Sequence, residues 1–83
     1  MRTFTGTGER MSKVFKSIEM VGVSGQSFDD AAKQAVKRAG ETMRDLEWME
    51  VMEQRGYIQG GEIREFQVKV KIWFKLDDAQ QNS

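Results

Sequence analysis

Trp48 and Trp73 are the side chains of this protein best suited to hold another molecule. An indole presents a broad electron-rich face. That face suits a flat ligand, an unpaired base, or the apolar surface of a second subunit. Met52, Lys69, Lys71 and Lys75 accompany the two indoles. Acid–base and metal chemistry have far less to draw on. Histidine and cysteine are both absent from the 83 residues, which removes the usual general base, the commonest zinc ligands and every disulfide. A serine triad and a histidine-rich metalloenzyme are therefore excluded. Oxygen ligation of calcium or magnesium survives, but Asp77 and Asp78, adjacent in a polar tail, read as solvated. Arg55, beside Gly56, can meet a phosphate, although a surface ion pair is its commoner fate. The "GTG" at 6–8 has neither the preceding strand nor the lysine of a phosphate loop.

These residues need a scaffold, and the pattern supplies one. "IREFQVKVKIWFKL" alternates almost without fault. Phe66, Val68, Val70, Ile72, Phe74 and Leu76 form a core face; Gln67, Lys69, Lys71, Trp73 and Lys75 form the other. Upstream, "YIQGGEI" marks a hairpin turn at Gly60–Gly61, preceded by the strand "LEWMEVMEQRG". A straight ladder from that turn pairs Ile58 with Ile63, Val51 with Val70, Met49 with Ile72, Trp48 with Trp73 and Gln54 with Gln67. Both tryptophans then stand on the face turned away from the core. Residues 13–23, "KVFKSIEMVGV", read as a first strand with Val14, Ile18 and Met20 inward and Phe15 and Val21 outward.

Between the strands, Ser27 and Asp30 suit a helix N-terminus. Phe28, Ala31, Ala32, Ala35, Val36, Ala39, Met43 and Leu46 recur at helical spacing. The alanine stripe lets a sheet approach closely, and a close contact is one explanation for Gly40, a simple irregularity the other. Residues 1–12 read as a flexible extension, with Met11 an alternative start; 13–78 form the domain and 79–83 a disordered tail. Lysine plus arginine number 13, as do aspartate plus glutamate, for zero formal net charge. That weighs against non-specific nucleic-acid binding. There is no secretory signal pattern and no membrane-length apolar run, so a cytoplasmic location is expected. A chain this short makes a small core, and with no disulfide or thiolate metal site, oligomerisation is the expected support.

The stretch "SKVFKSIEMVGVS", the capped helix, "LEWMEVMEQRG" and "EFQVKVKIWFKL" together resemble the dodecins, from about Ser12 to Asp78. The resemblance implies an α+β fold, β-α-β-β, with a three-stranded antiparallel sheet wrapped around one helix and twelve subunits in a hollow homo-dodecamer. It implies a non-enzymatic flavin store holding riboflavin, FMN or lumichrome, with coenzyme A a further ligand in some members. Trp48 matches the tryptophan that stacks on the flavin ring, and Gln67 the glutamine that hydrogen-bonds its polar edge. Arg55 matches an arginine near the "RG" turn. Two positions depart from the pattern. Trp73 stands where the family usually has glycine, and either extends the stacking platform or fills the space a flavin needs. Lys75 replaces an arginine and lacks its bidentate fork, which bears on phosphate and coenzyme A contacts. A shell blocked by Trp73, or a nucleic-acid-binding sheet using Lys69, Lys71 and Lys75, are the alternatives to flavin binding.

Overall fold

The computed structural model describes residues 13–76. The expected extension at 1–12, the tail at 79–83 and the pair Asp77 and Asp78 lie outside the described residues. Four elements follow in order: β1 (Phe15–Ser24), α1 (Phe28–Thr42), β2 (Leu46–Gln59) and β3 (Glu62–Lys75). The sheet order is β1-β3-β2 with antiparallel neighbours. The helix carries the chain from one edge strand to the other, and the hairpin then returns β3 into the gap between them. Among the described residues no helix is long and apolar enough to cross a membrane.

The helix begins where its unpaired amides find acceptors. Ser27 is the N-cap, and its hydroxyl oxygen accepts from the Asp30 amide at 2.9 Å. The Asp30 carboxylate turns to Ser24, accepting its hydroxyl at 2.6 Å. Ser24 Oγ in turn accepts the amides of Gln26 at 2.9 Å and Ser27 at 3.4 Å. Ser24 is thus a buried hub that joins the end of β1 to the cap of α1. Ser24→Ala leaves these partners short of an acceptor and a donor. It is expected to lower stability by about 1–3 kcal/mol, read as a shifted urea midpoint; an unchanged midpoint would show that water replaces the hydroxyl.

The helix stops at Thr42, four residues short of where the apolar spacing carries it. The Met43 amide still donates to the Ala39 carbonyl at 3.0 Å. Asp45 then takes a left-handed conformation (φ 61°), one that aspartate tolerates better than most residues, and Leu46 opens β2. Met43 and Leu46 both pack on the core. Their spacing therefore reports a shared destination, reached along two different backbones.

The core is small. Ala31, Ala35 and Ala39 of α1 pack on Val68, Val70 and Ile72 of β3, with Ile18, Met20, Phe28, Leu46 and Met49 partly buried around them. Phe28 also meets Phe66 edge to face, with ring centroids 5.0 Å apart. The close approach foreseen for the alanine stripe belongs to Gly22 on β1. A Cβ there would lie 1.9 Å from the Ala31 carbonyl oxygen and 3.2 Å from the Ala35 methyl. Gly40 has no such contact: the nearest atom to its added Cβ is Leu46 Cδ1 at 3.9 Å.

The hairpin turns at Gly60 and Gly61, with φ of 63° and 79°, the left-handed pair that a two-residue hairpin loop requires. Ile58–Ile63, Val51–Val70, Met49–Ile72 and Trp48–Trp73 pair as the straight ladder predicts. Gln54–Gln67 does not. Gln54 pairs with Val68, and Arg55 takes the place opposite Gln67. The register shifts between Val51 and Glu53 and again between Tyr57 and Ile58. Met52 is the extra residue on β2, and Arg64 is the extra residue on β3. The second bulge cancels the first, so from Trp48 to the turn the ladder is offset only between them. A third shift, between Leu46 and Trp48, lets Leu46 turn inward while Trp48 faces out.

Candidate functional site

Each strand sends alternate side chains to the face away from the helix, and directly paired residues share a face. With β3 in the centre, that outer face is a grid. Ser17, Trp73 and Trp48 form one row; Glu19, Lys71 and Glu50 the next; then Val21, Lys69 and Glu53; then Val23, Gln67 and Arg55. Lys75 lies beyond Trp73, paired with Phe15. The Met52 bulge decides the far rows. Trp48 and Arg55 are an odd number of residues apart, so an unbroken strand would point them in opposite directions. The inserted residue brings both onto the outer face.

At one end the aromatic side chains gather. The Trp48 and Trp73 ring centroids are 6.0 Å apart and the planes diverge by 22°. Phe15 reaches Trp48 from across β3, at 5.0 Å and a 50° tilt. Trp48 remains 49% exposed. Trp73 Nε1–H donates to Glu50 Oε1 at 2.9 Å, and Lys71 Nζ lies 5.7 Å from the centre of the Trp73 ring.

At the other end, Arg55 Nε donates to Gln67 Oε1 at 2.7 Å, and Gln67 Nε2 donates to Glu65 Oε1 at 3.1 Å. A primary amide has two donors and two acceptor sites, so one of each is left for a ligand. Val21, Glu53, Arg55, Gln67 and Lys69 line a shallow depression of about 120 Å³ here.

The structure therefore brings the expected site residues together in two groups and not one. Trp48 and Trp73 stand at one end, with Lys75 adjoining; Arg55 and Gln67 stand at the other. From Gln67 to Trp73 along β3 is a span of about 20 Å at the rise of a β-strand. Reading the sequence missed Glu50 and Phe15 as partners of the indoles. The straight ladder already set Glu50 opposite Lys71, diagonal to Trp73, so the signal was present. Two of the three lysines stand opposite carboxylates in the ladder, Lys71 between Glu19 and Glu50 and Lys69 beside Glu53, while Lys75 stands opposite Phe15. This charge matching gives nothing to a nucleic-acid reading. Among the described residues no cluster of three carboxylates is suited to a metal ion.

Comparison with known proteins bears on residues 14–77, which match the sequence profile described as Dodecin. The chain is 40% identical over 69 residues to the dodecin of Thermus thermophilus, covering 83% of this chain and all of that one (100%). It is 31% identical over 67 residues to the calcium dodecin of Mycobacterium tuberculosis, covering 81% of this chain and 94% of the relative. The solved structure of dodecin from Streptomyces coelicolor superposes with a TM-score of 0.78 at 37% identity, over 82% of this chain and 97% of that one.

Proposed function

This chain belongs to the dodecin family, and from that premise we propose that it is a non-catalytic, cytoplasmic flavin store that works as a homo-dodecamer. The observation that carries this reading is the half-exposed Trp48 ring, standing on a sheet face that no other described element of the chain covers. Riboflavin, FMN and lumichrome share a flat, electron-poor ring with a polar edge, and the two groups of side chains suit its two parts. Trp48 offers the stacking face, and Gln67 offers its free donor and acceptor to the edge. Arg55 holds the Gln67 carbonyl and so orients the amide. When bound, a flavin supplies an electron-poor chromophore, and an indole stacked on it drains its excited state.

The depression beside Gln67 is about 120 Å³, smaller than the roughly 300–1,000 Å³ of an ordinary small-molecule pocket. A flavin therefore lies across the outer face and needs a second copy to enclose it. The distance between Trp48 and Gln67 makes the same point. One flat ring does not bridge about 20 Å of strand, so the stack and the edge hydrogen bond are taken from different copies. Assembly is supported independently by the surface. Val21, Val23, Val51, Met52, Tyr57, Ile58 and Ile63 are all left exposed by the single chain, a load of apolar area that monomers rarely carry.

The test is riboflavin titration with the flavin's own emission as the signal. Saturable quenching is expected, from a protein that sediments as a large homo-oligomer. Unchanged emission at excess protein would remove the flavin reading, and a stable monomer at micromolar concentration would remove the shared site.

A further inference from the structure

Trp73 is held in three ways. Its strand register sets it directly opposite Trp48. Lys71 Nζ is 5.7 Å from its ring centre. Its Nε1–H donates to Glu50 Oε1 at 2.9 Å. Only the last contact fixes how the indole is turned, because a hydrogen bond to one edge atom restrains rotation in a way that a strand position and a diffuse cation do not. The indole so fixed lies nearly parallel to Trp48, 22° off, with centroids 6.0 Å apart. A third ring between them would need two carbon–carbon contacts of about 3.5 Å each, so the planes would have to stand about 7 Å apart. The pair as built does not admit one.

We propose that Glu50 is a positioning residue that latches Trp73 against Trp48, so that the protein closes one stacking face of Trp48 with its own side chain. A flavin gains that face only when the Trp73 indole turns away, which breaks the Nε1–Glu50 hydrogen bond. The latch then sets the fraction of sites in which that face is open, and the apparent affinity of a ligand that stacks on it scales with that fraction. The ligand side of this inference rests on the flavin reading above. The latch itself is a statement about two indoles and a carboxylate, and it is tested without ligand.

The experiment compares Glu50→Ala, Glu50→Gln and Trp73→Gly on the assembled protein. Glu50 is exposed, so its variants are expected to fold. The first readout, on ligand-free protein, is the ultraviolet circular-dichroism couplet that two stacked indoles produce. Glu50→Ala is expected to diminish it, Glu50→Gln to keep it because the amide oxygen still accepts from Nε1, and Trp73→Gly to abolish it. A full couplet in Glu50→Ala overturns the latch. So does equal loss in the Ala and Gln variants, which would mean that charge and not the hydrogen bond holds the ring.

The second readout is riboflavin affinity. Glu50→Ala is expected to tighten binding about two- to tenfold, the scale of one ordinary net hydrogen bond, to which solvent exposure reduces this contact. Trp73→Gly is expected to tighten it at least as much. Weaker binding in both variants would make Trp73 a wall that the ligand needs, and would overturn the closing role. If no variant binds flavin, the functional reading fails, and the couplet still decides whether Glu50 positions Trp73.

Discussion

Gly22→Ala is expected to destabilise the subunit by at least about 3 kcal/mol, the upper end of what overpacking a core costs, and to prevent normal assembly. The added methyl would sit 1.9 Å from the Ala31 carbonyl oxygen and 2.9 Å from its carbon. Both atoms belong to the helix backbone, so no rotamer change relieves the contact. The helix would have to lift from β1. Doing so would loosen Ala31 and Ala35 from Val68 and Val70 at the centre of a core whose fully buried side chains larger than alanine are, among the described residues, Val68, Val70 and Ile72. Gly40→Ala is the matched control. Its methyl meets nothing nearer than 3.9 Å, and alanine gains roughly 0.5–1 kcal/mol over glycine inside a helix. Urea melts of the two variants should therefore move in opposite directions. A wild-type midpoint for Gly22→Ala would mean that helix and sheet do not approach as closely as described.

Trp48→Ala is expected to weaken riboflavin binding about tenfold to hundredfold while leaving the melt almost unchanged. Stacking a flat ring on an aromatic side chain is worth roughly 1–3 kcal/mol per ring by alanine substitution, and 1.4 kcal/mol is a factor of ten. The stability cost is small because Trp48 is 49% exposed within the subunit and lies on the face opposite the core. The contrast between the two measurements makes the result specific. Lost affinity with an intact melt assigns Trp48 to the ligand. Unchanged affinity would take it out of the site, and a collapsed melt would make it a subunit-interface residue first.

Much of this architecture was legible in the residues, for reasons that can be named. The unbroken alternation from Phe66 to Phe74 placed β3 and its two faces, because a strand covered on one side must alternate. Gly60–Gly61 placed the turn, because few other residues accept two successive positive φ angles. The helix was visible by its stripe, but its end was not, since Leu46 serves the same core from a strand. Gly22 went unremarked because a glycine in a strand announces nothing by itself; the atoms that forbid a Cβ there come from another element. The pairing of Arg55 with Gln67 was missed for a similar reason. Neither Met52 nor Arg64 is a residue type that marks a bulge. The clue lay in the straight ladder's consequences: it sets Glu53 opposite Val68 and Arg55 opposite Phe66, turning two charges toward the helix side.

The two bulges have a further consequence. Between the Val51–Val70 and Ile58–Ile63 pairs, each strand has the same number of residues. The segment can therefore be tiled in two ways with both ends left in place: without bulges, or with one residue skipped on each strand. No insertion or deletion separates the two tilings. They are isomers of one ladder, and they differ in which side chains the middle of the arm shows to each side. The observed isomer puts Glu53 beside Lys69 and lets Arg55 reach Gln67 at 2.7 Å, with Gly56 set opposite Phe66. The other would put Arg55 there. The choice is thus made by side-chain chemistry at a few positions and not by chain length. Point substitutions at Glu53, Arg55 or Gly56 can tip it, so the outer face of a dodecin arm can be rewritten while its turn, its length and its core stay as they are.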